Sequence, residues 1–182
     1  MTKPAALIVI DVQNGFRSPK MPASNNPACE DNVRMLLNHW RANGWPIVLV
    51  KHSSKNPASV LAPGQDGFDL QTGIDGAHDL LVIKSVHSSF YGEPSLQEWL
   101  EAAGISKVVI CGIQTNMCCE TTARMAGNLG YEVDFVLDAT RTFDVVLADG
   151  TLVTADELSR ATAANLDGEF AKVVTTAQAI TG

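Results

Sequence analysis

Lys107-Val108-Val109-Ile110-Cys111-Gly112-Ile113-Gln114-Thr115-Asn116-Met117-Cys118-Cys119 begins as an unbroken apolar run and then changes character. Residues 107–111 read as a strand buried on both faces, because a strand with one wet face alternates apolar and polar positions. From residue 115 to 129 the apolar positions return at helical spacing, and Gly130 ends them. Working outward, the same unit recurs. Short apolar, β-branched runs lie at residues 6–10, 47–50, 80–83 and 133–137, with a last one at 170–174. Between most of them stand amphipathic helical patterns. Residues 31–43 put Val33, Leu36, Leu37 and Trp40 on one face before Gly44 and Pro46, and residues 95–103 do the same with Leu96, Trp99 and Leu100 before Gly104. Thr154, followed by Asp156 and Glu157, reads as the N-cap of a helix running through Leu166. Buried strands alternating with helices predict right-handed crossovers and a mostly parallel, doubly wound sheet of about six strands, an α/β fold in three α/β/α layers.

The bulk composition sets limits on partners. A chain of 182 residues fits one domain, here residues 1–182, and buries a sizeable core. With 46% hydrophobic and 18% charged residues it has the make-up of an ordinary globular protein. The formal charge of -7 comes without a Lys/Arg cluster to track a phosphate backbone, which argues against nucleic acid. The apolar run at residues 5–10 is too short to span a bilayer or to serve as a signal-peptide core, so no membrane partner and a cytoplasmic location are expected. Cys29, Cys111, Cys118 and Cys119 include no C-x-x-C pair and no histidine at zinc-finger spacing, which predicts neither a disulfide framework nor a structural zinc site.

In an open parallel sheet the ligand crevice lies beyond the carboxyl ends of the strands. Three chemistry-bearing residues fall there: Asp11 after the first run, Lys84 after the third, and Cys118 just past the fourth, at the entry to the following helix. A helix N-terminus and a nearby ammonium both favour the thiolate. A carboxylate at the first strand end suits the general acid and base that takes the thiol proton and returns it to a leaving amine. Taken singly, each has a structural explanation: Asp11 as a cap, Lys84 as a solvated strand end, Cys118 as a small core residue. Their coincidence at strand ends favours chemistry. Two irregular stretches, residues 53–76 and 140–150, read as loops at the strand ends, in the position of a lid or binding loop, with a disordered surface excursion as the alternative.

At these residues the chain resembles the isochorismatase-like cysteine hydrolases. The resemblance rests on Asp11-Val12-Gln13-Asn14-Gly15-Phe16, on Lys84-Ser85 with Ser89-Phe90-Tyr91-Gly92, on Gly112-Ile113-Gln114-Thr115-Asn116-Met117-Cys118-Cys119 with Thr121-Thr122-Ala123-Arg124, and on Asp138-Ala139-Thr140-Arg141-Thr142-Phe143-Asp144. Each pattern is weak alone; in this order they run over nearly the whole chain. The resemblance implies a catalytic triad of Asp11, Lys84 and Cys118. It also implies a cis peptide between Ile113 and Gln114, and an oxyanion hole made by the backbone N–H groups of Gln114 and Cys118. Gln13, Phe16, His52, His87, Phe90, Tyr91 and Phe143 are candidates for the substrate pocket, with core or loop packing as the alternative for the aromatics and surface hydrogen bonding for the histidines. Relatives commonly form dimers or larger oligomers, which makes a homo-oligomer the expectation.

The chain also departs from the family pattern. Nicotinamidases of the family carry an Asp-x-His metal motif after the second strand, where this chain has Val50-Lys51-His52-Ser53-Ser54, so no metal and no cofactor are expected. Cys119 stands where a small apolar residue is usual and reads as helix packing. Three functions are compatible with the pattern: hydrolysis of a C–N bond in a small-molecule amide, carbamoyl compound or lactam through a Cys118 thioester; hydrolysis of a vinyl ether as in isochorismatases; or non-catalytic binding in a flavodoxin-like module. The last should show a glycine-rich turn after the first strand, and Asp11-Val12-Gln13 is not one. Retention of Cys118 favours the first.

Overall fold

The computed structural model describes residues 4–181. Its elements run β1 (Ala6–Ile10), α1 (Cys29–Asn43), β2 (Ile47–His52), β3 (Leu80–Lys84), α2 (Leu96–Ala103), β4 (Lys107–Ile113), α3 (Glu120–Asn128), β5 (Glu132–Arg141), β6 (Val145–Val146), β7 (Leu152–Val153), α4 (Ala155–Leu166), β8 (Lys172–Val174) and α5 (Thr176–Thr181). Six strands form one parallel sheet in the order β3-β2-β1-β4-β5-β8. Among the described residues no helix is long and apolar enough to cross a membrane.

Both faces of the sheet are covered, which is why its central strands carry no alternation. Leu7 and Val9 of β1 point to the side where Val33, Leu36, Leu37 and Trp40 of α1 pack, with Ile180 of α5 against the same cluster. Ala6, Ile8 and Ile10 point to the other side, against Leu96 and Leu100 of α2, Ala123 and Ala126 of α3 and Leu166 of α4. Each fully buried Leu, Ile or Val contributes about 1.5–3 kcal/mol of transfer free energy, so this double core is the principal source of stability. Helix ends follow their local chemistry. Gly44 and Gly104 take left-handed φ values of 63° to close α1 and α2, and Thr154 with Glu157 forms a complete capping box on α4.

Three elements differ from the sequence expectation. The stretch at 140–150 is not an irregular loop, because β5 runs on to Arg141 and residues 145–153 carry the small antiparallel pair β6–β7. The extension depends on a register shift between Ile110 and Gly112, after which Gly112 faces Thr140. Gly112 is required at this point: its φ is 128°, and a Cβ there would run into the backbone carbonyl of Ile10. The helix after β4 opens as a single π-turn over Thr115–Cys119 before α3 begins. The short α5 has no counterpart in the sequence reading. The stretch at 53–76 remains irregular apart from a 3-10 turn at Asp66–Phe68.

Candidate active site

The chain runs from β1 outward through β2 to β3, then returns to the other side of β1 with β4. That reversal opens a crevice at the carboxyl ends of β1 and β4, the place where open α/β sheets hold ligands. Asp11 follows β1 directly. Its N–H still donates to Val50 at 3.0 Å, as a strand residue would, but its φ of 53° turns the chain off the sheet. A non-glycine residue in the left-handed region costs about 1–3 kcal/mol and occurs preferentially at functional sites. Lys84 ends β3. β2 lies between β1 and β3, so the Lys84–Asp11 contact spans the end of β2.

Lys84 Nζ donates to Asp11 Oδ2 at 2.6 Å, with both side chains fully buried. Burial holds the Asp11 carboxyl above its ordinary range, and Lys84 only partly offsets this. For Lys84, burial pulls downward, but the Asp11 carboxylate and the Cys118 sulfur outweigh it and the ammonium is held above its ordinary range. Oδ1 of Asp11 is buried without a conventional hydrogen-bond partner, and the carboxylate, the Cys118 sulfur and a His52 ring nitrogen have ligating atoms within 4.8 Å of one another. One carboxylate oxygen is therefore left unengaged by Lys84, and the thiol stands close to the carboxylate.

Cys118 is the fourth residue of the π-turn and 7% exposed, whereas Cys29, Cys111 and Cys119 are fully buried. The turn is held from several sides. Thr115 donates to the Thr140 hydroxyl at 2.9 Å, the Thr142 hydroxyl donates to Asn116, and the Glu120 carboxylate accepts from Arg124, Thr162 and Asn165. The Gln114 carbonyl accepts from the N–H groups of Met117 and Cys119, and the Ile113–Gln114 peptide is cis, the geometry the resemblance implies. The electrostatics of the thiol differ from the sequence reading. Burial, then the adjacent Asp11 carboxylate, push it up to about 12 against the downward pull of Lys84, so the resting form is the thiol and not a standing thiolate.

A cleft of about 150 Å³ opens on these groups, lined by Asp11, Phe16, His52, Leu61, His87, Gln114, Met117 and Cys118. Both histidines are thus in the wall. His87 Nδ1 lies 3.5 Å from Cys118 Sγ, and His52 Nδ1 lies 3.4 Å from Lys84 Nζ. Burial, and then the Lys84 ammonium, hold His52 below its ordinary range, which keeps the ring neutral with Nδ1 as acceptor. Asp11, His52 and Cys118 are close enough together to surround a metal ion, but the Lys84 ammonium already stands against both Asp11 and His52 and supplies the positive charge. The donor set does not fit a metal cation.

The remaining pocket candidates lie elsewhere. Gln13 is fully buried and acts as a clamp: its amide donates to the carbonyls of His52 at 3.1 Å and Phe68 at 2.8 Å, and its Oε1 accepts the His52 N–H at 2.8 Å. Phe143 stacks on the outer side of Phe16 with ring centroids 5.9 Å apart, and so backs the wall instead of lining it. Phe90 stacks on Tyr131, while Tyr91 is 70% exposed and away from the cleft. Two wall residues escaped the sequence reading. Met117 is adjacent to Cys118 but carries no signal of its own; Leu61 belongs to an apolar triplet, Val60-Leu61-Ala62, inside an otherwise polar loop, a pattern that marks inward packing.

Comparison with known proteins shows the family. The family model of the isochorismatase domain matches residues 5–178. The isochorismatase family protein YrdC of Bacillus subtilis is 35% identical over 181 residues, covering 99% of this chain and 96% of that protein. Nicotinamidase 3 of Arabidopsis thaliana is 35% identical over 166 residues, covering 84% and 80% respectively. A crystal structure of an isochorismatase-family protein from Chromobacterium violaceum superposes with a TM-score of 0.91 at 33% identity, covering 97% of this chain and 91% of that one. With the family model spanning nearly its whole length, the chain belongs to the isochorismatase family of hydrolases.

Proposed function

We propose that this hydrolase cleaves a C–N bond of a small molecule, in an amide, carbamoyl or lactam group, through a thioester on Cys118. The observation that carries the reading is the fully buried Asp11 carboxylate, paired through Oδ2 with Lys84, with Oδ1 unengaged, beside a thiol that rests protonated. A buried carboxylate above its ordinary range is a stronger proton acceptor than an exposed one. Asp11 takes the Sγ proton as sulfur attacks the carbonyl carbon. The oxyanion that forms is received by the backbone N–H groups of Gln114 and Cys118, an arrangement in which each donor is worth about 3–4 kcal/mol. Asp11 then returns the proton to the nitrogen, the C–N bond breaks, and an amine or ammonia leaves. Amines are poor leaving groups unless protonated, and that need favours an amide-type substrate for a site with a dedicated buried acid. Lys84 stabilises the Asp11 carboxylate in both directions of transfer.

A relative named as a nicotinamidase supports the class of bond and leaves the substrate of this chain open. The cleft of about 150 Å³ suits the reacting end of a small molecule and not a polymer. The test is a panel of primary amides, carbamoyl compounds and lactams assayed for released amine, with Cys118→Ala as control. Turnover that depends on Cys118 is expected for at least one class. Full turnover by Cys118→Ala removes the covalent mechanism.

A further inference from the structure

We propose that His87 is the base for the second half of the reaction, accepting a proton from the water that releases the acyl group from Cys118. The inference rests on the thioester reading above and deepens it. Two bases border the sulfur in the cleft, and they differ in burial. Asp11 is fully buried and engaged by Lys84. His87 is exposed to solvent with Nδ1 3.5 Å from Sγ, so its imidazole is open to water right beside the sulfur. His52 does not serve in this role, since its Nδ1 faces the Lys84 ammonium at 3.4 Å.

The loop that carries the exposed imidazole is anchored close to it. Two residues on, the Ser89 N–H donates to the Thr122 hydroxyl at 3.0 Å, and the Ser89 hydroxyl lies 3.2 Å from the same oxygen, both in the buried interior. Thr122 belongs to α3, the helix that continues from the π-turn bearing Cys118. The loop carrying His87 and the turn carrying the nucleophile are therefore pinned to one rigid element.

The chemistry balances without a further reactant. His87 takes a proton from water as the water oxygen adds to the thioester carbon. Collapse of the tetrahedral adduct breaks the C–S bond and yields the carboxylic acid product. The sulfur recovers its proton from His87, whose Nδ1 already stands within reach, and both residues return to their starting states.

The probe is p-nitrophenyl acetate, whose leaving group needs no proton, so that acylation proceeds without the acid function of Asp11. The native protein is expected to release p-nitrophenolate over many turnovers. His87→Gln is expected to give one equivalent in a burst, then a steady state slowed about a hundredfold more than the burst. Intact-mass measurement should find acetyl on Cys118 in that variant, and hydroxylamine, a nucleophile that needs no base, should restore its turnover. A His87→Gln steady state equal to that of the native protein, or burst and steady state lost in parallel, overturns the assignment. Absence of both burst and acetyl-Cys118 from the native protein and the variant alike removes the thioester reading, and this inference with it.

Discussion

Lys84→Met keeps most of the side-chain volume and removes the charge that faces Asp11 across 2.6 Å in a fully buried pair. An unpaired carboxylate at that depth is unstable, and breaking such a pair by deleting one partner typically costs about 3–5 kcal/mol. Asp11 has a way to limit the loss, which is to bind a proton. In the variant the folded-state carboxyl titrates higher than in the native protein, where Lys84 pulls it down. Between those two folded values the variant's native state holds one more proton than that of the unmodified protein. Its stability deficit therefore grows as pH rises through the window, by about 1.4 kcal/mol per unit, and vanishes below it. With an ordinary carboxylate near 3.9, about three units separate full protonation from pH 7, which bounds the deficit there at about 4 kcal/mol. Because burial already raises Asp11 in the native protein, the window opens later and the deficit at pH 7 is smaller than this bound. Urea denaturation of both proteins between pH 4.5 and about 7.5, followed by circular dichroism, measures the difference directly. Asp11→Asn/Lys84→Met should recover most of the loss and show no slope. A deficit of equal size at every pH would refute the reasoning, since it would mean that Asp11 does not titrate in response to Lys84.

Other expectations concern the site and its frame. Iodoacetamide should modify Cys118 first, because the other three cysteines are fully buried, and with the thiol pushed up to about 12 the rate should keep rising with pH without a plateau below about pH 10; a plateau near neutrality contradicts the resting thiol. In the proposed mechanism Asp11 must be ionised to act as base, and burial raises it, so kcat/KM should fall on the acid side through a value above the ordinary carboxylate one of about 3.9; an acid limb at or below that value counts against Asp11. Gly112→Ala forces a Cβ against the Ile10 carbonyl at a φ of 128° and should cost about 3 kcal/mol, read as a fall in melting temperature of about 6–12 °C. Gln13→Leu leaves the buried His52 N–H and two carbonyls without partners, and should destabilise by about 2–3 kcal/mol while speeding hydrogen exchange at His52; unchanged exchange there removes the clamp.

How much of this was legible depended on whether a residue's role is set locally. Asp11 and Lys84 each end an apolar run, and Cys118 follows one at a helix entry; the parallel topology that such runs impose is enough to bring strand ends together. The extension of β5 to Arg141 was not legible, because it relies on the register shift at Ile110 and Gly112 in a different strand. The β6 and β7 strands have two residues each, too few for any periodicity to register. Gln13 reads as a pocket residue by its place beside Asp11, but the side chain turns away to hold the end of β2 and the loop at Phe68. Aromatic side chains were the least informative. Phe16 lines the cleft, Phe143 backs it, and Phe90 and Tyr91 do neither, since nothing in a local pattern tells which neighbour a ring will find.

The position of β1 between β2 and β4 governs how the site comes into being. The Asp11–Lys84 pair joins residues 73 apart in sequence, and the thiol arrives only with the turn beyond β4. No shorter stretch of the chain holds all three groups: a segment ending before β4 carries Asp11 and Lys84 but not Cys118. Long-range parallel pairings of this kind are the slow part of folding. During refolding, turnover should therefore return no earlier than assembly of the four strands from β3 to β4, while helical circular dichroism can recover sooner. The lag between the two signals would time the closure of the sheet around β1.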